Sequence, residues 1–172
     1  MTKAPSSADN HTTDTVEMRR SHIKHEASVR SVGVLYYLGA LFIIIAGIAG
    51  VLTDTESTMV VRIVVAAALI GLGVFQFWVG TGLRELKAWA RVPTGILSGI
   101  GLLGFPIGTL INGYILFLVF SKKGTVVFSP EYKDAIAATP EVKYKTSIIV
   151  WIFVGLLILV LGLGLLASLL SR

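Results

Sequence analysis

The stretch GLLGFPIGTLINGY, residues 101–114, lies inside the longest uncharged run of the chain and decides the fold. As one straight helix this run, residues 92–121, would be about 45 Å long, whereas the hydrocarbon core of a bilayer is ~30 Å thick. Pro106 removes a backbone donor and clashes with the preceding helical turn, and Gly104 and Gly108 loosen the backbone on both sides of it. The sequence therefore predicts a break here, with residues 90–121 forming a helical hairpin.

The apolar residues of the chain are gathered into blocks with the charges between them. Hydrophobic residues make up 54% of the 172 residues. A block of about 18 or more apolar residues matches the thickness of a bilayer core when it is helical. Residues 32–52, 58–83 and 146–171 are such blocks. With the hairpin they predict an all-α membrane bundle over residues 32–171, with three full spans and four or five membrane segments.

The distribution of positive charge selects the topology. If the uncharged run crossed the membrane once, the lysine-rich loop 121–145 would lie opposite the basic turn 84–91. If the run enters and returns, both basic segments share one face with the arginines of the N-terminal segment. The positive-inside rule favours the second arrangement, with these segments and the N-terminus cytoplasmic and the turn TDTEST and the C-terminus outside. Whether the hairpin crosses fully or is re-entrant stays open.

The polar segments differ in their predicted order. Residues 1–31 are too polar to offset the entropy of ordering, so a disordered tail is expected, although residues 16–30 can form a short surface helix. His22 and His25 stand three apart there, but a third metal ligand is not evident. In the loop 121–145, Ser129 followed by Pro130 predicts a helix start, and Pro140 predicts its end. This short helix is expected to lie on the cytoplasmic surface.

The residue types exclude several functions. The chain has no cysteine, and it contains no nucleophile elbow, phosphate loop or zinc-helix motif. We therefore expect no enzyme activity, no cofactor and no metal. The net charge of +5 is not arranged as a basic stripe with interleaved aromatic residues, so nucleic acid is not an expected partner. No Asp, Glu, Lys or His lies deep in an apolar block, which argues against an ion-coupled transporter.

Two functional hypotheses remain. The first is a scaffold, anchor or accessory subunit that acts through its basic cytoplasmic loops on anionic lipid headgroups or a protein partner. Its candidate contact residues are Lys122, Lys123, Lys133, Lys143 and Lys145. The alternative is a small transporter or channel subunit that uses the broken hairpin around Pro106, with Asn112 and Gln76 as a candidate polar site.

Small residues indicate where helices pack closely. Gly95 and Gly99 are four apart in GILSG, a spacing that permits close helix contact either within one chain or in a homo-oligomer. The pairs Ala46 with Gly50 and Ala67 with Gly71 are looser versions of the same pattern.

A longer pattern resembles one found in small uncharacterised bacterial multi-pass membrane proteins. It combines a Trp-Ala-Arg step at residues 89–91, Phe-Pro-Ile-Gly-Thr at residues 105–109 and a Tyr-x-Leu run that begins at Tyr114. In those proteins the Pro-Ile-Gly-Thr element lies between two apolar helical segments. The resemblance implies a bacterial cytoplasmic (inner) membrane, and it carries no functional residue over to this chain.

Overall fold

The computed structural model describes residues 7–140 and Gly155, and its regular structure in that part is entirely helical. The elements are α1 (Ser7–Thr53), α2 (Met59–Arg84), a short 3-10 helix (Ala88–Ala90), α3 (Arg91–Gly101), α4 (Ile107–Phe120), α5 (Lys122–Val127) and α6 (Pro130–Ala138). The all-α class is thus confirmed for these residues. The predicted span 146–171, apart from Gly155, lies outside the described residues, as do Lys143 and Lys145.

Within the described residues, two helices are long and apolar enough to cross a membrane. They are the segment Asp14–Thr53 of α1 and the 26-residue α2. The turn between them is polar: Asp54 accepts hydrogen bonds from the backbone N–H groups of Glu56 and Ser57, and Thr58 caps α2. Only 11% of the most apolar stretch of α2 is buried. Against the rest of the described chain, α2 is therefore not an enclosed core helix.

The contact between α1 and α2 is built from small residues at a spacing of seven. They are Gly33, Ala40 and Gly47 on α1, and Ala66, Gly73 and Gly80 on α2. A Cβ atom added to Gly73 would lie 2.9 Å from the carbonyl oxygen of Ala40, and one added to Gly80 would lie 3.0 Å from that of Gly33. Residues seven apart return to the same face after two helical turns. The two backbones are thus in close antiparallel contact over several turns.

The N-terminal segment differs from its prediction. The sequence predicts a disordered tail over residues 1–31, but the structure places residues 7–31 in α1. The physical reason is tertiary: α5 and α6 pack against this part of α1, where Glu26 and Val29 are fully buried and Arg19 is nearly so. Polar residues that look solvated in the sequence have partners more than 100 positions away along the chain.

The predicted break is present. α3 ends at Gly101 and α4 begins at Ile107, so Gly104 and Pro106 lie in the turn, whereas Gly108 lies in the first turn of α4. The predicted start of α6 is also confirmed, because the Ser129 side chain accepts a hydrogen bond from the backbone N–H of Tyr132 at 3.2 Å.

Helices α3 and α4 form an antiparallel hairpin. Phe120, at the end of α4, lies against Gly95 near the start of α3, and Asn112 lies against Gly101. The chain therefore returns after α4 to the end of the bundle where α3 begins. There Arg91 donates a hydrogen bond to the Thr125 hydroxyl at 3.1 Å. The basic turn 84–91 and residues 121–140 thus share one end of the bundle, here called the basic end.

Candidate functional site: a basic cap on the first helix

Helices α5 and α6, residues 121–140, form a folded unit that we call the basic cap. Ser121 begins it: its hydroxyl accepts a hydrogen bond from the backbone N–H of Gly124 at 3.1 Å. A Cβ atom added to Gly124 would lie 2.5 Å from the carbonyl oxygen of Leu118, so only glycine permits this close return of the chain onto α4. The cap buries Val127 and Tyr132 completely in the main apolar cluster of the described residues.

A buried carboxylate joins the cap to α1. Glu26 is fully buried, and its Oε2 atom accepts a hydrogen bond from the Tyr132 hydroxyl at 3.0 Å. Arg30 lies 3.0 Å from the other oxygen, and the Nε atom of Arg19 lies 3.7 Å from Oε2. Burial, together with the negative charge of Glu26, raises the pKa of the Tyr132 hydroxyl. The Tyr132 hydroxyl thus keeps its proton and donates it in the hydrogen bond to the carboxylate.

Arg19 makes a second connection between the same two helices. Its Nη1 atom donates to the Thr139 hydroxyl at 2.9 Å, to the Thr139 carbonyl oxygen, and to the carbonyl oxygen of Ile136 at 3.3 Å. These carbonyl groups lie at the C-terminal end of α6, where the helix leaves acceptors unpaired and where its dipole favours a positive charge. Arg19 thus bridges the Glu26 carboxylate and the end of α6.

The two histidines considered as metal ligands have other partners. The Nε2 atom of His25 donates to the carbonyl oxygen of Leu118 at 2.8 Å, at the end of α4. Burial lowers the pKa of His25, which lies in the polar part of α1 before the predicted span. The ring of His22 packs edge-on against that of Tyr132 at 6.1 Å. Across residues 7–140, no three His, Cys, Asp or Glu side chains are grouped so that they could hold a metal ion.

The described lysines of the cap form part of its surface. Lys122, Lys123 and Lys133 are exposed, and no carboxylate of the described chain lies within ion-pair distance of them. The outer surface of the cap thus carries these three lysines together with the exposed carboxylates of Glu131 and Asp134, a net charge of +1, while its inner surface is mainly apolar and faces the buried Glu26 of α1.

Aromatic side chains lie at the same end of the bundle. Trp78 and Trp89 stack with their ring centroids 4.0 Å apart, and both are partly exposed. The guanidinium of Arg84 lies 5.6 Å from the centroid of the Tyr37 ring, and that of Arg91 lies over the rings of Phe120 and Phe128. Tryptophan and arginine in such stacks are typical of the headgroup level of a membrane.

The two polar residues proposed for a transport site do not come together. The Gln76 amide donates to the Tyr36 carbonyl oxygen at 3.4 Å, between α1 and α2. The Asn112 amide donates to the Gly108 carbonyl oxygen at 2.8 Å and packs on Gly101, inside the hairpin. Each amide donates to a backbone carbonyl in a separate helix contact.

Another polar contact joins α3 to α1. Thr94 and Ser98 are fully buried on α3, and the Tyr36 hydroxyl lies 3.3 Å from that of Ser98. Their spacing of four, which places both on one helix face, is the signal that identifies them.

The proposed packing glycines separate into two kinds. A Cβ atom added to Gly95 would lie 2.9 Å from the Phe120 ring, so this glycine packs inside the chain. Gly99 has nothing within 4 Å of that position, and neither have Gly50 and Gly71. The four-residue spacing therefore does not mark the internal helix contact, which uses the seven-residue spacing instead.

Comparison of the chain with protein families, with curated proteins and with solved structures gave no match. The functional argument therefore rests on the geometry of the chain itself.

Proposed function

We propose that this chain is a non-enzymatic integral membrane protein, an anchor or accessory subunit that presents its basic cap at the cytoplasmic face of a bacterial inner membrane. One observation carries the proposal: residues 121–140 are a folded unit, fixed to α1 by the Glu26 cluster, and all the described lysines of the cap are exposed. A segment needed only to orient the chain in the membrane requires positive charge but no fixed shape.

The exposed apolar surface of α2 supports the membrane location. Val60 is 70% exposed and Val64 is 62% exposed, and several neighbouring valines and isoleucines are similar. Such a surface is costly in water, at about 25 cal/mol for each Å² of apolar area. In a bilayer this surface contacts lipid chains at no such cost. The stacked tryptophans and the arginines at the basic end then lie at the interface between the membrane and water.

The partner that best fits the cap is an anionic lipid headgroup. Three exposed lysines lie at the same end of the bundle as Arg84 and Arg91, where they outnumber the exposed Glu131 and Asp134 of the cap. A lysine near an anionic membrane surface contributes about 1 kcal/mol of attraction, which is about a fivefold change in affinity. Removing the three described lysines should therefore reduce the preference for anionic over zwitterionic lipid by up to about a hundredfold.

The test uses the full chain in a mild detergent, titrated with short-chain phosphatidylglycerol or phosphatidylcholine and followed by tryptophan fluorescence. The variant with Lys122→Gln, Lys123→Gln and Lys133→Gln should lose the preference for phosphatidylglycerol. The matched control is Lys87→Gln, because Lys87 is paired with Glu85 at 2.6 Å and should matter less. An equal affinity of the unaltered protein for both lipids would refute a headgroup-binding cap.

The alternative, transport through the broken hairpin, has less support. It needs free polar groups at the break, yet the amides of Asn112 and Gln76 both donate to backbone carbonyl oxygens in separate places. Solute flux into liposomes that disappears in Asn112→Leu would favour transport over the anchor role.

A further inference from the structure

We propose that the α3–α4 hairpin is re-entrant: its turn, residues 102–106, lies within the hydrocarbon core and contacts the acyl chains of the lipid. This inference rests on the membrane location proposed above. Four features of the hairpin support it, namely its length, a contact with α1 that limits its reach, the chemistry of its turn and the hydrogen bonding of the turn backbone.

The hairpin is too short to cross. α3 has 11 residues and α4 has 14, which at helical rise gives about 16 and 21 Å, against a hydrocarbon core of about 30 Å. By comparison, the 26 residues of α2 give about 39 Å. The hairpin begins at the basic end, so its turn lies well before the opposite end of α1 and α2.

A contact with α1 fixes how far the turn reaches. Ser98 lies beside the Tyr36 hydroxyl. Side chains on a helix slant toward its N-terminus, which for this part of α1 is the direction of the basic end. Ser98 therefore lies no farther from the basic end than Tyr36 does. From Tyr36 to Val51, α1 continues for about 22 Å, whereas α3 continues beyond Ser98 for only about 5 Å before the turn. The carbonyl oxygen of Val51 accepts a hydrogen bond from Arg62 at the polar end of the pair. The turn therefore stops on the order of 10 Å short of that end.

The turn is chemically unlike one that reaches water. Residues 101–108, GLLGFPIG, contain no polar side chain, and Leu103 and Phe105 are each 85% exposed. The turn between α1 and α2, by contrast, has the sequence TDTEST and is strongly polar. Two large apolar side chains with this exposure at the tip of the hairpin are favourable in hydrocarbon and unfavourable in water.

The backbone of the turn is also suited to a dry environment. In hydrocarbon an unpaired N–H group costs several kcal/mol, so irregular backbone there must be paired internally. The N–H groups of Leu102, Leu103, Gly104 and Phe105 donate to the carbonyl oxygens of Ser98, Ile100, Gly101 and Leu103 at 2.9–3.2 Å. Pro106 has no N–H group, and the Thr109 hydroxyl donates to the Leu102 carbonyl oxygen at 2.6 Å. The proline at the tip thus removes a donor where no water is present to accept.

The test measures the depth of the tip with spin labels, because the chain has no native cysteine. The full chain is reconstituted in liposomes with a single cysteine at Phe105, Thr55 or Thr125, and collisions with oxygen and with a water-soluble nickel chelate are compared. Phe105→Cys should collide preferentially with oxygen, which concentrates in the hydrocarbon, and Thr55→Cys and Thr125→Cys should collide preferentially with the nickel chelate. Leu103→Cys, at an equally exposed position, should repeat the result for Phe105→Cys.

A tip in water overturns the inference. It would appear as nickel accessibility at Phe105→Cys equal to that at Thr55→Cys, or as labelling of Phe105→Cys by an impermeant maleimide from outside. The membrane topology is tested separately: labelling of Thr125→Cys from outside would refute the orientation but leave the depth of the tip unaffected. Oxygen-dominated collisions at both Leu103→Cys and Phe105→Cys support the re-entrant hairpin.

Discussion

The contact of Gly73 with Ala40 offers the sharpest test of how α1 and α2 pack. A Cβ atom added to Gly73 would lie 2.6 Å from the Cγ1 atom of Ile44 and 2.9 Å from the carbonyl oxygen of Ala40. The Ile44 side chain can adjust, but the carbonyl belongs to the backbone of a regular helix and cannot move alone. Gly71, two residues earlier on α2, has nothing within 4 Å of its added Cβ. Gly73→Ala and Gly71→Ala are therefore matched variants.

The two variants separate packing from helix propensity. Replacing glycine by alanine inside a helix is favourable by up to about 1 kcal/mol, and both variants share this gain. Overpacking a tight contact costs about 1–3 kcal/mol, and only Gly73→Ala incurs that cost. We therefore expect Gly73→Ala to be less stable than Gly71→Ala by about 1–3 kcal/mol.

The measurement is a titration of the purified protein from mild detergent into SDS, with near-ultraviolet circular dichroism of the aromatic residues as the signal of tertiary structure. The stacked pair Trp78 and Trp89, at 4.0 Å, contributes to that signal and lies away from both substitutions along α2. Equal unfolding midpoints for the two variants, or a lower midpoint for Gly71→Ala, would refute the seven-residue packing of α1 on α2.

Three further predictions concern the cap and the hairpin. Glu26→Gln leaves Arg19 and Arg30 without their buried countercharge, which should cost about 3–5 kcal/mol and expose residues 121–140 to limited proteolysis. Tyr132→Phe removes only the hydrogen bond to the carboxylate and should have a milder effect in the same assay. The pKa of His25 is lowered from 6.5 by burial and by the charges of Lys123 and His22, so the unfolded chain binds a proton more tightly. Stability should therefore fall as the pH drops below about 6.5, and His25→Gln should weaken this dependence, as read from unfolding midpoints between pH 5 and 8. The triple variant Gly104→Ala, Pro106→Leu and Gly108→Ala should favour one continuous helix, since an added Cβ at position 108 would also lie 2.8 Å from the Gly101 carbonyl oxygen. Its lysine-rich loop would then be carried outward, so Thr125→Cys should become labelled from outside or the protein should be degraded; normal expression with unchanged labelling would contradict the hairpin.

Features determined by local chemistry were predictable from the sequence. The break at Pro106 follows from a missing N–H group and a steric clash within one helical turn. The start of α6 follows from the Ser129 hydroxyl and the proline after it, which act within three residues. The bounds of α2, Met59–Arg84, also lie within one residue of the apolar block 58–83, because the polar turns on both sides end it.

Features that depend on distant contacts were not predictable. A disordered tail would leave Arg19, Glu26 and Arg30 in solvent, and nothing near them in sequence indicates that they are buried. Their partners Tyr132 and Thr139 are more than 100 residues away. The packing glycines were sought at a spacing of four, which suits steeply crossing helices. Two helices whose axes are nearly aligned, such as the antiparallel pair α1 and α2, meet at intervals of seven residues. Their row of small contact residues therefore begins at Gly33 on α1 and at Gly80 on α2.

The buried cluster around Glu26 determines which side of the cap faces outward. α6 has a small apolar face, in which Tyr132 and Ala135 are fully buried and Ile136 only partly. An apolar patch of that size permits rotation of a nine-residue helix about its own axis, because hydrophobic contact has little directionality. The hydrogen bond from Tyr132 to Glu26 and those from Arg19 to Thr139 are directional, and they hold α6 at two points along its length. With Tyr132 held inward, the next residue, Lys133, lies about 100° around the helix and is exposed. The buried charges therefore fix the orientation of the exposed ones, so a disrupted Glu26 cluster should weaken lipid binding even when all the lysines of the cap remain.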